Sequence, residues 1–149
     1  MMPKTHIILG FVFSLILYLF FHVSLFNSIL IFLATFLGDV DHYIFYMLKK
    51  RTLNFKESYN WFLNVGKRFD KLPSKKKKHY HLGYFPLHSI ECFLVLFILG
   101  FYFNFLFFIL IGLMFHTAMD MVYEYFGPKR ALYKISIIYT VLTKKFIGF

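Results

Sequence analysis

The chain has 149 residues, enough for one domain. Hydrophobic residues make up 59% of it, charged residues only 16%, and 23 positions are Phe. A soluble fold this small has too little interior to hide so much apolar surface, so the excess must face lipid. Disordered, collagen-like and disulfide-scaffold classes are thereby excluded, and the single Cys92 has no partner within the chain for a bridge. The expectation is a small all-α integral membrane protein.

In chain order, the first apolar stretch runs from Ile7 to Leu37, with His22, Ser24, Asn27 and Ser28 near its middle. At about 1.5 Å per residue a single helix here would be roughly 46 Å long, well beyond a hydrocarbon core of about 30 Å. It reads better as a hairpin over residues 5–48, turning at His22–Ser28, with Asn27 or Ser28 as the second helix's N-cap. No small-x-small cleavage site follows the first run (residues 21–26 read FHVSLF), so the N-terminal helix is expected to be retained.

A basic insert over residues 49–84 comes next. Phe55, Tyr59, Phe62 and Phe69 recur near helical spacing among Lys56, Lys67 and Arg68, which predicts an amphipathic helix lying on the cytoplasmic leaflet. Lys75–Lys78 reads as a solvated loop that reinforces topology, with anionic-lipid recognition as the alternative. The second apolar stretch, Cys92–Phe115, extends from Leu87 to Phe126 and splits at Gly100–Asn104 into a second hairpin over residues 86–126. A basic segment, 127–149, closes the chain and is expected to carry a C-terminal helix.

Net charge is +10, from 17 Lys and Arg against 7 Asp and Glu, and its placement decides the topology. No basic residue falls between Lys4 and Lys49 or between Lys78 and Lys129. Two hairpins put Lys4, the Lys49–Lys78 loop and the Lys129–Lys145 tail on one side, which the positive-inside rule makes the cytoplasm. The expectation is therefore four short transmembrane helices in a cell (inner) membrane, multi-pass, with both termini cytoplasmic. Anionic lipids are the expected partners, and no specific nucleic acid is expected.

Ionisable groups in apolar helices cost roughly 2.5–3.5 kcal/mol each near the bilayer centre, so each needs a reason. His6, Asp39, Asp41, His42, His88, Glu91, His116, Asp120 and Glu124 are such groups. Under single spans His6 and Asp39 would lie roughly 50 Å apart; under two hairpins all gather at the cytoplasmic end. His116 and Asp120 (i, i+4), Asp39 and His42 (i, i+3) and His88 and Glu91 (i, i+3) each share a helix face. Asp41 would point away from Asp39 unless Gly38 loosens the helix, or else it orients a histidine.

Four imidazoles (His6, His42, His88, His116) and three carboxylates (Asp39, Asp41, Asp120) suit a divalent transition metal, zinc first, then manganese or iron, as one ion or two. Asp41 or Glu91 is the expected general base. His22 and His79 read as structural, Glu124 as a solvated or salt-bridged helix end, and His81 stands between structural and site roles.

His6 at the start of an apolar helix, Asp39-Val40-Asp41-His42, His88-Ser89 and His116-Thr117-Ala118-Met119-Asp120 follow in an order that resembles the YdjM-type membrane-bound metal-dependent hydrolases. Gly38 stands where that family commonly has Pro, and His81-Leu82-Gly83 stands where it tends to have His-Arg-Gly. The resemblance implies a metal-dependent hydrolase without naming a substrate. A phosphoester or lipid substrate is consistent with the basic rim and with lateral delivery from the membrane. The alternative is a non-catalytic, metal-stabilised membrane scaffold. A transporter is disfavoured because the polar groups gather at one end instead of the midplane.

Overall fold

The computed structural model describes residues 3–77, 79–126 and 136–146, and helices dominate them. Helix α1 (Pro3–Phe20) ends in a tight turn at which His22 takes a left-handed conformation, φ 52°. The Phe21 and Val23 N–H groups both donate back to the Leu17 carbonyl, closing the helix end. Helix α2 (Leu25–Leu37) opens with Ser24, whose side chain accepts the Asn27 N–H. The N-cap is thus Ser24, earlier than the Asn27 or Ser28 expected, because the reversal needs only a short connection after Phe20.

Chain direction changes again at Gly38. Helix α3 (Val40–Lys50) leaves α2 at 41°, so the D-V-D-H segment opens a separate helix instead of ending the previous one. A Cβ at Gly38 would lie 2.8 Å from the His116 ring, so only glycine lets the break close over that imidazole.

Helix α4 (Phe55–Asp70) covers the predicted amphipathic segment, but it divides the aromatic residues between two surfaces. Phe62 and Phe69 turn inward with Val65 against Leu82 and Phe85, whereas Phe55 and Tyr59 are exposed. A helical row drawn through all four merges these two faces. A short α5 (Ser74–Lys77) follows, and β1 (Tyr80–His81) pairs in parallel with β2 (Lys145–Phe146). This chain-closing pair of two-residue strands has no signature in the sequence. Lys78 and the stretch 127–135, which holds Lys129, lie outside the described residues, as do 147–149.

A 3-10 turn, Pro86–His88, leads into α6 (Ile90–Gly100), and α7 (Phe105–Phe126) returns after the Phe101–Asn104 turn, as the Gly100–Asn104 split predicts. Helices α1, α2, α6 and α7 pack in the order α1–α2–α7–α6. At the α2–α7 contact a Cβ on Gly112 would meet the Ile31 carbonyl oxygen at 2.5 Å, the small-residue close approach that apolar bundles use. The bundle's outer faces are apolar and open, with Ile8, Phe11, Val12, Leu94, Val95 and Ile98 among them. Phe105–Tyr125 is long and apolar enough to cross a membrane, and α2 with α3 forms a second such length if taken as one bent segment. Helix α8 (Ile137–Thr143) lies within the basic C-terminal segment, where a helix was expected.

Candidate metal centre

Every predicted metal ligand lies at the end of the bundle where α2 breaks. His6 comes from the first turns of α1, Asp39 from the break itself and His42 from the start of α3. His88 ends the 3-10 turn, which the Ser89 hydroxyl fixes by donating to the Pro86 carbonyl while it accepts the Cys92 N–H. His116 and Asp120, one turn apart on α7, complete the set.

Donor atoms of His6, Asp39, His116 and Asp120 all lie within 4.8 Å of one another, and so do those of Asp39, His42 and His88. Asp39 belongs to both groups. Its Oδ1 is 3.6 Å from His116 Nε2 and 4.0 Å from His88 Nε2, and its Oδ2 is 3.9 Å from His6 Nε2. Asp120 closes the far side, 3.3 Å from His6 Nε2 and 3.8 Å from His88 Nε2. His6 stacks on the His116 ring at 4.0 Å, is fully buried, and among the described residues neither of its nitrogens is in hydrogen-bonding geometry with any group.

The tautomers follow from the partners. His116 Nδ1 lies 2.7 Å from the Thr35 carbonyl oxygen, which can only accept, so Nδ1 carries the proton and Nε2 presents a lone pair. His88 Nδ1 donates to Asp41 Oδ2 at 3.0 Å, leaving its own Nε2 as a lone pair as well. Those two Nε2 atoms face each other at 3.0 Å. Two lone pairs at that distance repel unless a proton is shared between them or a cation sits beside them. A cation there would meet the two carboxylates and the buried His6 as well, so this donor set fits a divalent cation.

Asp41 takes the orienting one of its expected roles, and Glu91 has surroundings different from those expected. Asp41 is in neither group. Its Oδ1 accepts from His42 Nδ1 at 2.7 Å, and its Oδ2 accepts from His88 and from the Leu87 N–H at 3.1 Å, so it stands behind the imidazoles and orients them. Glu91 points to another element. It accepts from the Ser136 hydroxyl at 2.5 Å and from the Ile137 and Ile138 N–H groups, which caps α8. The α6 register gives it a face shared with His88 only on a regular helix, and the 3-10 turn breaks that register.

His81 is buried outside both groups, its Nδ1 3.2 Å from the Gly83 carbonyl oxygen and its ring beside Tyr84 and Phe146. His22 and His79 are exposed, and Glu124 is buried. Three contributors act through backbone: the Thr35 carbonyl and the Leu87 N–H, which escape sequence reasoning, and the clearance at Gly38. Of these only Gly38, a glycine beside a D-x-D-H run, leaves a mark in the sequence.

Access is one-sided. Asp39 and His42 side chains are 27% and 22% exposed, whereas those of His6, Asp41, His88, His116 and Asp120 are 4% or less. The open edge is therefore the α2–α3 break, flanked by exposed Leu37 and Val40. No family model, no characterised protein and no solved structure matches this chain.

Proposed function

We propose that the chain is a membrane-bound metal-dependent hydrolase of the YdjM type, built on four short transmembrane helices with its termini and its His/Asp centre at the cytoplasmic face. The observation that carries the metal is the facing pair of Nε2 lone pairs at 3.0 Å, within a ring of carboxylates and beside a buried imidazole without hydrogen bonds. His6, His116 and Asp120 would hold one ion, His42 and His88 a second, with Asp39 between them. Zinc suits this borderline nitrogen and oxygen set best, and manganese or iron also fit.

A divalent cation there supplies Lewis acidity toward a phosphoryl or acyl oxygen and a more acidic water. The chain's own part is positioning. Asp41 holds two imidazoles in the ligand tautomer, and Thr35 holds a third. The exposed side of Asp39 and His42, bordered by Leu37 and Val40, supports a substrate that is polar at the reacting group and apolar beside it, as a lipid phosphoester or ester is.

A second reading rests on a specific observation. Donors come from α1, the α2–α3 break, the turn before α6, and α7, so a cation would also clamp both hairpins together. That is the work of a non-catalytic metal-stabilised scaffold. Turnover separates the two. Metal-loaded protein in anionic vesicles should hydrolyse a phosphoester or acyl-ester lipid, and Asp39→Asn should abolish it. No turnover on either class, with Zn²⁺ or Mn²⁺ bound, leaves the scaffold. Topology has its own check: cysteines at Asn27 and Asn104 should label from outside the cell and one at Lys76 only after permeabilisation.

A further inference from the structure

The apolar outer surface of α2 and α3 does not stop at the metal centre. Leu33 and Leu37 on α2 and Val40, Ile44 and Leu48 on α3 are all exposed, so open apolar side chains lie on both sides of the Gly38 break. They lead to a corner between α3 and α4 that is held firmly in place. Arg51 caps α3 in a left-handed conformation, φ 55°, and donates its N–H to the Met47 carbonyl at 2.8 Å. The Tyr43 hydroxyl donates to the Leu53 carbonyl at 2.7 Å, and its ring lies 5.4 Å from that of Phe55. Asn54 opens α4 by accepting the Glu57 N–H.

Despite this rigidity, Leu48, Leu53 and Phe55 are 70%, 73% and 72% exposed. A fixed corner that presents three large apolar side chains is unfavourable in water and marks a contact surface. The charges around it are predominantly positive. Lys50, Arg51 and Lys56 are exposed, while Lys49 turns back over the Phe146 ring. Glu57 is the only acid between Asp41 and Asp70, and both its oxygens are engaged, by the Asn54 amide and the Tyr46 hydroxyl.

We propose that this corner is an anionic-lipid anchor: Leu48, Leu53 and Phe55 enter the acyl region of the cytoplasmic leaflet while Lys50, Arg51 and Lys56 meet lipid phosphates. The corner's exposed apolar side chains, which follow those of α2 and α3, together with its net positive charge, select a bilayer over a protein partner. The anchor rests on the membrane reading of the bundle and is independent of hydrolysis.

The test uses the full chain in vesicles, in a Cys92→Ser background. An environment-sensitive fluorophore is placed at Leu53→Cys or Phe55→Cys, and quenching by a neutral aqueous quencher is compared between phosphatidylcholine alone and phosphatidylcholine with phosphatidylglycerol. Quenching at the corner should fall about fivefold or more when the anionic lipid is added. The combined Lys50→Glu, Arg51→Glu and Lys56→Glu variant should erase that difference. A probe at Ile98→Cys, on the bundle's lipid face, should stay shielded in both vesicles. If the corner is quenched equally in both lipids while Ile98 is shielded, the anchor is overturned and the membrane reading stands. Equal shielding in both lipids overturns it too, because the corner would then be covered by something other than anionic headgroups. An Ile98 probe open to the quencher overturns the membrane reading and the anchor together.

Discussion

His116 and His81 make a controlled pair. Both are buried, and each has Nδ1 near a backbone carbonyl, that of Thr35 at 2.7 Å and that of Gly83 at 3.2 Å. They differ in what the other nitrogen meets. His116 Nε2 faces His88 Nε2 and Asp39, whereas His81 Nε2 has no hydrogen-bond partner and its ring lies beside Tyr84 and Phe146. The first lies in a bundle whose four helices and break converge on one point; the second lies in the aromatic layer beneath α4. Burial and a carbonyl anchor are common to both, so neither makes a ligand. Convergence of donors from separate elements is what makes His116 a candidate.

The sharpest way to break this contrast is to remove the convergent donors. Purified protein should carry about one or two transition-metal ions per chain, and the His116→Ala, Asp120→Ala double variant should lose the ion those two residues hold with His6. Chelation of the wild type should lower its Tm by on the order of 10 °C, since a cation bound only by the folded chain stabilises it by mass action. Unchanged Tm and metal-free protein after supplementation, read by calorimetry and elemental analysis, would reduce the cluster to hydrogen-bonded structure.

Asp41 sharpens the comparison from behind. It holds His42 and His88 by their Nδ1 atoms, so Asp41→Asn should weaken metal binding about 10- to 100-fold while saturating metal restores the wild-type stoichiometry. Competition titration against a chelating dye measures this. Full affinity in the variant would mean that the imidazoles hold their orientation without the carboxylate.

Much of this was legible in the sequence, for a definite reason. Lysines confined to the ends of apolar stretches imply hairpins, and hairpins bring His6, Asp39, His88 and His116 together without any knowledge of side-chain packing. What was hidden depends on local backbone. Whether Asp41 joins the ligands or orients them turns on the 41° break at Gly38, and whether Glu91 faces the site turns on the 3-10 turn before it. The split of α4's aromatic residues between protein and open surface needs the position of Leu82 and Phe85, which helical periodicity alone does not contain.

Glu91 offers a smaller effect in a place where sequence spacing and structure diverge. Its carboxylate caps α8, so Glu91→Gln should leave metal content unchanged and cost about 1 kcal/mol, the worth of a helix N-cap. Hydrogen exchange should show the loss confined to Ile137–Thr143 and the strand that follows. Loss of metal in this variant would place Glu91 in the centre instead.

The smallest effect is expected at His81, and it bears most directly on the comparison. Burial lowers the His81 imidazole pKa from its ordinary value, which favours the neutral ring, so its replacement removes little charge at pH 7. His81→Leu gives up one hydrogen bond to Gly83 and removes a buried nitrogen that has no partner, two terms of opposite sign and similar size. The net change in stability should stay within about 1 kcal/mol, as for other swaps of similar volume in an apolar layer. Metal stoichiometry and affinity should match the wild type. If His81→Leu instead lost metal as His116→Ala does, the donor set would have to reach into the α4 layer, and convergence at the α2–α3 break would no longer separate ligand from structural histidine.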